Sequence, residues 1–253
     1  MMNMANNSPR DRLIFALDVD GGLEEALSWV DRLWNHVGLF KVGKESFVRY
    51  GTEIVRQIQA RRGKVFLDLK FHDIPNTVAR AAEAACGLKV AMFNLHALGG
   101  MRMMTETVGA VRKFAERSEK EPPAVLAVTI LTSLNDDDLK RLGFKGGTRE
   151  TALNLARLAQ DAGLSGVVAS AEDAAAIRKA CGSAFCIVTP GIRGPKEVAG
   201  EDQKRIVTPA EAVSSGADYL VVGRPILQAA DPAGKADAIT EEIVRGLSLR
   251  NGR

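Results

Sequence analysis

Val65-Phe66-Leu67-Asp68-Leu69-Lys70-Phe71-His72-Asp73-Ile74-Pro75-Asn76-Thr77 passes from a strand to a helix, with its charges at the join. The apolar run at 65–67 reads as a buried strand. Pro75 and Thr77 open an Ala-rich helix that runs to Cys86, because proline suits the first helical turn. Asp68 and Lys70 are therefore expected at the end of a strand. In an extended chain they share one side, since side chains alternate with period two. Asp73 lies beyond them in the loop. An ammonium between carboxylates stays protonated, and two nearby carboxylates repel a further anion. The plain alternative is a surface ion-pair cluster, which an isolated Asp-x-Lys-x-x-Asp often is. The Ile74-Pro75-Asn76-Thr77 continuation weighs against it.

Outward from this stretch, eight short apolar runs alternate with longer amphipathic segments. The runs are 13–17, 39–42, 65–69, 90–95, 124–128, 166–169, 185–188 and 219–222. Helical spacing fills the intervals, for example at 23–34, 45–61 and 101–117. Strand, helix, strand repeated along a whole chain demands parallel pairing, and eight units predict a closed (β/α)₈ TIM barrel. A doubly wound open sheet is the second choice. No Gly-x-Gly-x-x-Gly follows the first strand, which removes the main reason to prefer it. Residues 1–11 read as a polar N-terminal tail and 12–253 as a single barrel domain.

Composition fits that size. A chain of 253 residues with 46% hydrophobic and 26% charged residues supplies both a large core and a charged surface. A formal charge of +3 is too small to argue for nucleic acid. Cys86, Cys181 and Cys186 show no CxxC spacing and are expected as reduced, buried thiols. His36, His72 and His96 lack ligand spacing, so no metal is expected. No run is long enough to span a bilayer, and the tail has no apolar segment of the signal-peptide kind. The expected location is the cytoplasm.

Barrels carry their chemistry at the C-terminal ends of strands. The first strand ends at Asp18. The second holds Phe40-Lys41-Val42-Gly43, where a lysine inside an apolar run is costly unless anions face it or its tip escapes to water. Lys44 falls after Gly43, on the following turn. The fourth strand ends in Asn94-Leu95-His96, and His96 is given no chemistry. The fifth runs into Thr129-Ile130-Leu131-Thr132-Ser133, a hydroxyl cluster that can do no more than cap a loop. The acidic run 136–138 starts a helix ending near Arg141. Ser170, after the sixth strand, either caps the next helix or serves a ligand. The last two strands end in Thr189-Pro190-Gly191-Ile192-Arg193 and Val222-Gly223-Arg224-Pro225. Glycines there admit an anion to backbone N–H groups, and the arginines offer forks suited to phosphate. The connection 194–208, with Gln203 inside it, is long and reads as a mobile lid.

Asp68-x-Lys70-x-x-Asp73-Ile74-Pro75-x-Thr77 resembles the signature of the orotidine 5′-monophosphate decarboxylase family, and the likeness extends from Asp18 to Arg224. It implies a cofactor-independent carboxy-lyase that converts orotidine 5′-monophosphate to UMP in pyrimidine synthesis. Carried over position by position, Asp18 and Lys41 hold the ribose 3′-hydroxyl. Lys41, Asp68, Lys70 and Asp73 form an alternating charged array, with Lys70 as proton donor to C6. Asp73 and Thr77 come from the partner subunit of a homodimer with shared sites and reach the ribose 2′-hydroxyl. Thr132 and Ser170 contact the pyrimidine, while Arg193, Gln203, Gly223 and Arg224 grip the phosphate. The lid reads Gly200-Glu201-Asp202-Gln203, one residue longer than the Gly-Asp-Gln of many relatives. Two rivals are a metal-dependent sugar-phosphate lyase of the same superfamily, which shares Asp-x-Lys-x-x-Asp, and a non-catalytic barrel that binds a phosphorylated ligand. The continuation to Thr77 and the lysine at position 41 argue against the first. Two lysines beside paired carboxylates argue against the second.

Overall fold

Strands β1 (Leu13–Ala16), β2 (Leu39–Gly43), β3 (Val65–Phe71), β4 (Met92–His96), β5 (Ala124–Val128), β6 (Gly166–Val168), β7 (Cys186–Pro190) and β8 (Tyr219–Val222) pair in chain order. Every neighbouring pair is parallel, and β8 returns to β1 to close the barrel. The computed structural model describes residues 8–192 and 207–252. Helices α1 (Leu23–Leu33), α2 (Lys44–Tyr50), α3 (Glu53–Ala60), α4 (Pro75–Gly87), α5 (Gly100–Ser118), α6 (Asp136–Arg141), α7 (Thr148–Asp161), α8 (Ala171–Cys181), α9 (Pro209–Ser214), α10 (Arg224–Leu227) and α11 (Pro232–Asn251) occupy the connections. Among the described residues no helix is long and apolar enough to cross a membrane.

Parallel strands covered on both faces must be apolar on both faces, and alternate residues here enter two separate cores. Ile14, Leu39, Phe66, Met92, Leu126 and Tyr219 fill the barrel. Phe15, Phe40, Leu67, Phe93, Val167 and Leu220 pack outward against the helices. The three cysteines are buried and unbridged. The inner face turns polar toward the C-terminal ends. Two residues beyond Leu39 stands Lys41, beyond Phe66 stands Asp68, and beyond Met92 stands Asn94. The barrel thus supports its site with the same period that fills its core.

The expected helix at 45–61 is in fact two. Gly51 takes φ +59, a left-handed conformation that glycine enters without a Cβ clash, and α2 ends there. Helical periodicity continues through the break, which hid it. Strand β3 runs to Phe71 rather than 69, and β4 begins at Met92 rather than 90. The helix expected from the acidic run at 136 ends at Arg141, started by an Asn135–Asp138 capping box.

Candidate active site

Lys41 is the pivot of the mouth. Its Nζ lies 3.0 and 3.1 Å from the two carboxylate oxygens of Asp18 and 3.6 Å from Oδ2 of Asp68. Lys41 and Asp68 are each only 9% exposed. Anions therefore face the buried ammonium, and it does not escape to water. Gly43 makes room for this meeting: a Cβ there would stand 2.9 Å from Asp18 Oδ1 and 3.0 Å from Lys41 Nζ. Lys70 continues the series, with Nζ 2.7 Å from Asp68 Oδ1. Within one chain the charges alternate Asp18, Lys41, Asp68, Lys70. The partly exposed Lys70 ends the row.

Lys70 reaches this place by a route that simple alternation does not give. Leu67 pairs with Phe93 and Phe71 with Leu95, so four steps along β3 (71 − 67) match two along β4 (95 − 93). The extra residues form a bulge that interrupts the ladder. Lys70 sits inside it at φ +52, in the left-handed region. A non-glycine residue held there stores about 1–3 kcal/mol and needs surroundings that fix it. Asn94 supplies them. Its Oδ1 accepts the Lys70 backbone N–H at 2.8 Å, and its Nδ2 donates to Asp68 Oδ1 at 2.6 Å. Asn94 is fully buried. The reading of this stretch as plain extended strand is corrected accordingly.

His96 stands two residues past Asn94, its ring 5.4 Å from that of His72. Burial, followed by electrostatic repulsion from His72, Lys44 and Lys70, pushes its pKa down to about 4 against a weaker pull from Asp68. It is a neutral imidazole at ordinary pH.

Two hollows open at this end of the barrel, and the second includes Asp18 and Lys41 of the array. Thr132 and Ser170 line one, together with Ile130, Pro190 and Gly191. Ser170 also caps α8 by accepting the Glu172 N–H at 3.3 Å, so its two expected roles are compatible. The other is a cleft of about 720 Å³ lined by Asp18, Lys41, Pro190, Gly191, Gly223 and Arg224. Pro190 and Gly191 belong to both, so the hollows meet at the end of β7. Arg193, Gln203 and the expected lid as far as residue 206 lie outside the described residues. Thr208, at the end of that segment, caps α9 through a capping box with Glu211.

A barrel whose mouth carries an Asp–Lys–Asp–Lys row beside a Gly/Arg-lipped cleft matches, over residues 11–239, the model of the Orotidine 5'-phosphate decarboxylase / HUMPS family. The chain belongs to that family. An orotidine 5'-phosphate decarboxylase of Syntrophus aciditrophicus is 64% identical over 98% of each chain. One from Trichlorobacter lovleyi is 53% identical over 96% of this chain and all of its own. The crystal structure of orotidine 5'-phosphate decarboxylase from Lactobacillus acidophilus superposes with TM-score 0.80 at 35% identity, covering 91% of this chain and 98% of the other.

The remaining residues of the family signature stand apart from the array. Asp73 and Thr77 are exposed. The Asp73 carboxylate accepts the backbone N–H of Ile74 at 2.6 Å. Ile74 is 67% exposed, and Leu98 and Met101 near the start of α5 also face outward. Asn94 was not singled out in the sequence, where it stands two residues before His96. The signal was available, since Asn94 follows inward-facing Met92 at the strand period.

Proposed function

We propose that the chain decarboxylates orotidine 5′-monophosphate by electrostatics alone, with Lys70 delivering the proton that completes UMP. Family membership, with relatives up to 64% identical along nearly their whole length, makes the reaction that of a carboxy-lyase, orotidine 5′-phosphate decarboxylation. The observation that carries the mechanism is the row Asp18–Lys41–Asp68–Lys70, whose Asp18–Lys41 end lines the cleft. When the bond from C6 to the carboxylate breaks, the electron pair stays on C6 and no adjacent group delocalises it. A fixed ammonium beside that carbon lowers the energy of the developing charge, and its N–H then supplies the proton. Lys70 is the ammonium at the open end of the row.

Asp68 acts on the other side of the balance. Its carboxylate is held by Lys41, Lys70 and Asn94 and cannot withdraw from an arriving carboxylate. Two such charges about 4 Å apart repel by roughly 4 kcal/mol at an effective dielectric of about 20, and loss of CO₂ relieves this. Asp18 and Lys41 hold the ribose, Thr132 and Ser170 the pyrimidine, and Gly223 and Arg224, with Arg193 and Gln203, the phosphate. Phosphate binding far from C6 supplies energy for the chemical step.

Metal-dependent lyase chemistry is the competing reading. Against it, the Lys41 ammonium fills the space between Asp18 and Asp68 where carboxylates would otherwise gather around a cation. A spectrophotometric assay with orotidine 5′-monophosphate, with and without chelator, tests the assignment. Turnover that survives chelation is expected. Activity that vanishes with chelator and returns with a divalent ion would overturn it.

A homodimer completes the site in this proposal. The exposure of Asp73 and Thr77, beside the exposed Ile74, supports their serving a neighbouring copy rather than their own array. Mixing Lys70→Ala chains with Asp73→Asn chains then restores one intact site in each mixed dimer. About a quarter of wild-type activity should return after random exchange. No gain over the two parents, once native mass spectrometry confirms exchange, would place both residues in one subunit's site.

A further inference from the structure

We infer that Asn94 is a positioning residue for the decarboxylation, gripping the Lys70 main chain with one end of its amide and the Asp68 carboxylate with the other. The inference rests on the reading of Lys70 as proton donor. Three hydrogen bonds form a closed circuit. The Lys70 N–H donates to Asn94 Oδ1, Asn94 Nδ2 donates to Asp68 Oδ1, and Lys70 Nζ donates to that same oxygen. Lys70 is thereby held at both its backbone and its ammonium, through partners that also hold each other.

The bulge explains why such a clamp is needed. Between Leu67 and Phe71 the β3–β4 ladder is out of step, so the main chain there lacks its regular cross-strand partners. Lys70 is one of a handful of non-glycine residues at positive φ among those described, and of these it alone belongs to the charged row. A left-handed lysine without a fixed N–H partner would relax, and its side chain would swing with it. Asn94 is fully buried on the inner face of β4, opposite Leu126 of β5. Packing does not call for an amide among apolar neighbours, where its polar atoms need partners. Each end of this amide finds one, and both partners belong to the row.

Volume and hydrogen bonding can be separated, because leucine nearly matches asparagine in shape and offers neither donor nor acceptor. Asn94→Leu should therefore keep the fold and lose the clamp. A misplacement of about 1 Å is expected to lower kcat about 10²-fold. UMP affinity, measured by calorimetry, should stay within about threefold, because binding does not depend on the direction of the Lys70 N–H. A kcat within about threefold of wild type, or equal losses in kcat and UMP affinity, would overturn the inference. Native-state amide exchange of the unmodified enzyme gives a second reading that no folding defect can obscure. The Lys70 N–H should exchange far more slowly than that of Asp73 in the adjoining loop, and similar rates would refute the clamp. Lys70→Ala serves as the control. If it stays active, the proton-donor reading fails; if it is silent while Asn94→Leu turns over normally, only the role of Asn94 fails.

Discussion

The two ends of this barrel both gather carboxylates and cations, and they use them in opposite ways. At the N-terminal floor, Asp218 immediately precedes β8 with its side chain only 6% exposed. It accepts hydrogen bonds from Arg178, from Arg250 at 3.2 Å and from the Ile187 N–H at 2.9 Å, with the Arg12 guanidinium 4.0 Å away. Those arginines come from the segment before β1, from α8 and from α11, so the cluster ties the two ends of the chain across the floor. The terminal nitrogens of Arg178 also donate to the carbonyls of Gly182, Phe185 and Gly216, while its buried Nε is left without a hydrogen-bond partner. Such a group has little capacity left for a ligand. At the mouth, the row starts at an open cleft lined by Asp18 and Lys41 and ends in a partly exposed lysine on a left-handed backbone. Charges that saturate one another build structure, while a row left open at one end is available for chemistry.

Substituting one residue at each end separates the two. Lys70→Ala removes both the proton and the ammonium that stabilises charge at C6, so kcat should fall by at least about 10⁴-fold. The melting temperature should barely move, since Lys41 and Asn94 still hold Asp68. Lys70→Gly should be equally silent yet more stable than Lys70→Ala, by about 1 kcal/mol, because glycine accepts the left-handed φ. Single-turnover kinetics and thermal melts check both halves. Strong residual activity in either folded variant would end the proposed mechanism.

Asp218→Ala should do the reverse. It leaves guanidinium groups facing one another at a buried floor, and loss of one partner from such a cluster costs about 3–5 kcal/mol. The catalytic rate per folded molecule should stay unchanged, because the hydrogen bonds and ion pairs given for the row run among Asp18, Lys41, Asp68, Lys70 and Asn94 and not to this cluster. Urea unfolding gives the stability, and active-site titration of the soluble fraction gives the rate. A fall in kcat without a fall in stability would mean that the ends of the barrel are coupled.

The sequence carried the fold because period-two apolar runs and proline- or acid-started helices are local signals, as β5 and α6 illustrate. It carried Lys41, Asp68 and Lys70 of the row as well, since a lysine in an apolar strand such as β2 is conspicuous; the expected array continued to Asp73, whereas within one chain the row begins at Asp18. The bulge in β3 was not legible. Nothing in Leu67-Asp68-Leu69-Lys70 announces that β4 will match it with fewer residues; register is a property of the pair of strands. Asn94 was passed over for the same reason. Its partners are a backbone N–H and a carboxylate brought within reach only by that bulge. The floor escaped notice too, because Arg12, Arg178, Asp218 and Arg250 are scattered along the chain and meet only on closure.

The smallest predicted effect concerns acid sensitivity, and it assigns part of that sensitivity to the mouth. The floor pairs its carboxylate with guanidinium groups, which stay charged at all ordinary pH. His96 is different: burial, then electrostatic repulsion from His72, Lys44 and Lys70, holds its pKa at about 4, below the 6.5 of an unconstrained imidazole. Between those values the unfolded chain binds a proton that the folded chain refuses. His96 therefore contributes fully above pH 6.5, and its contribution is lost as pH falls from 6.5 toward 4. The group is only about half buried, so solvent screening reduces the effect to about 1 kcal/mol between neutral pH and pH 5. His96→Gln keeps a polar side chain of similar reach and cannot titrate. Urea unfolding at pH 7.5 and pH 5 should show the wild type losing about 1 kcal/mol more than the variant over that interval. Equal losses would mean that His96 takes up its proton as readily in the folded chain as in the unfolded one. The mouth would then be wetter around that ring than its packing against His72 indicates.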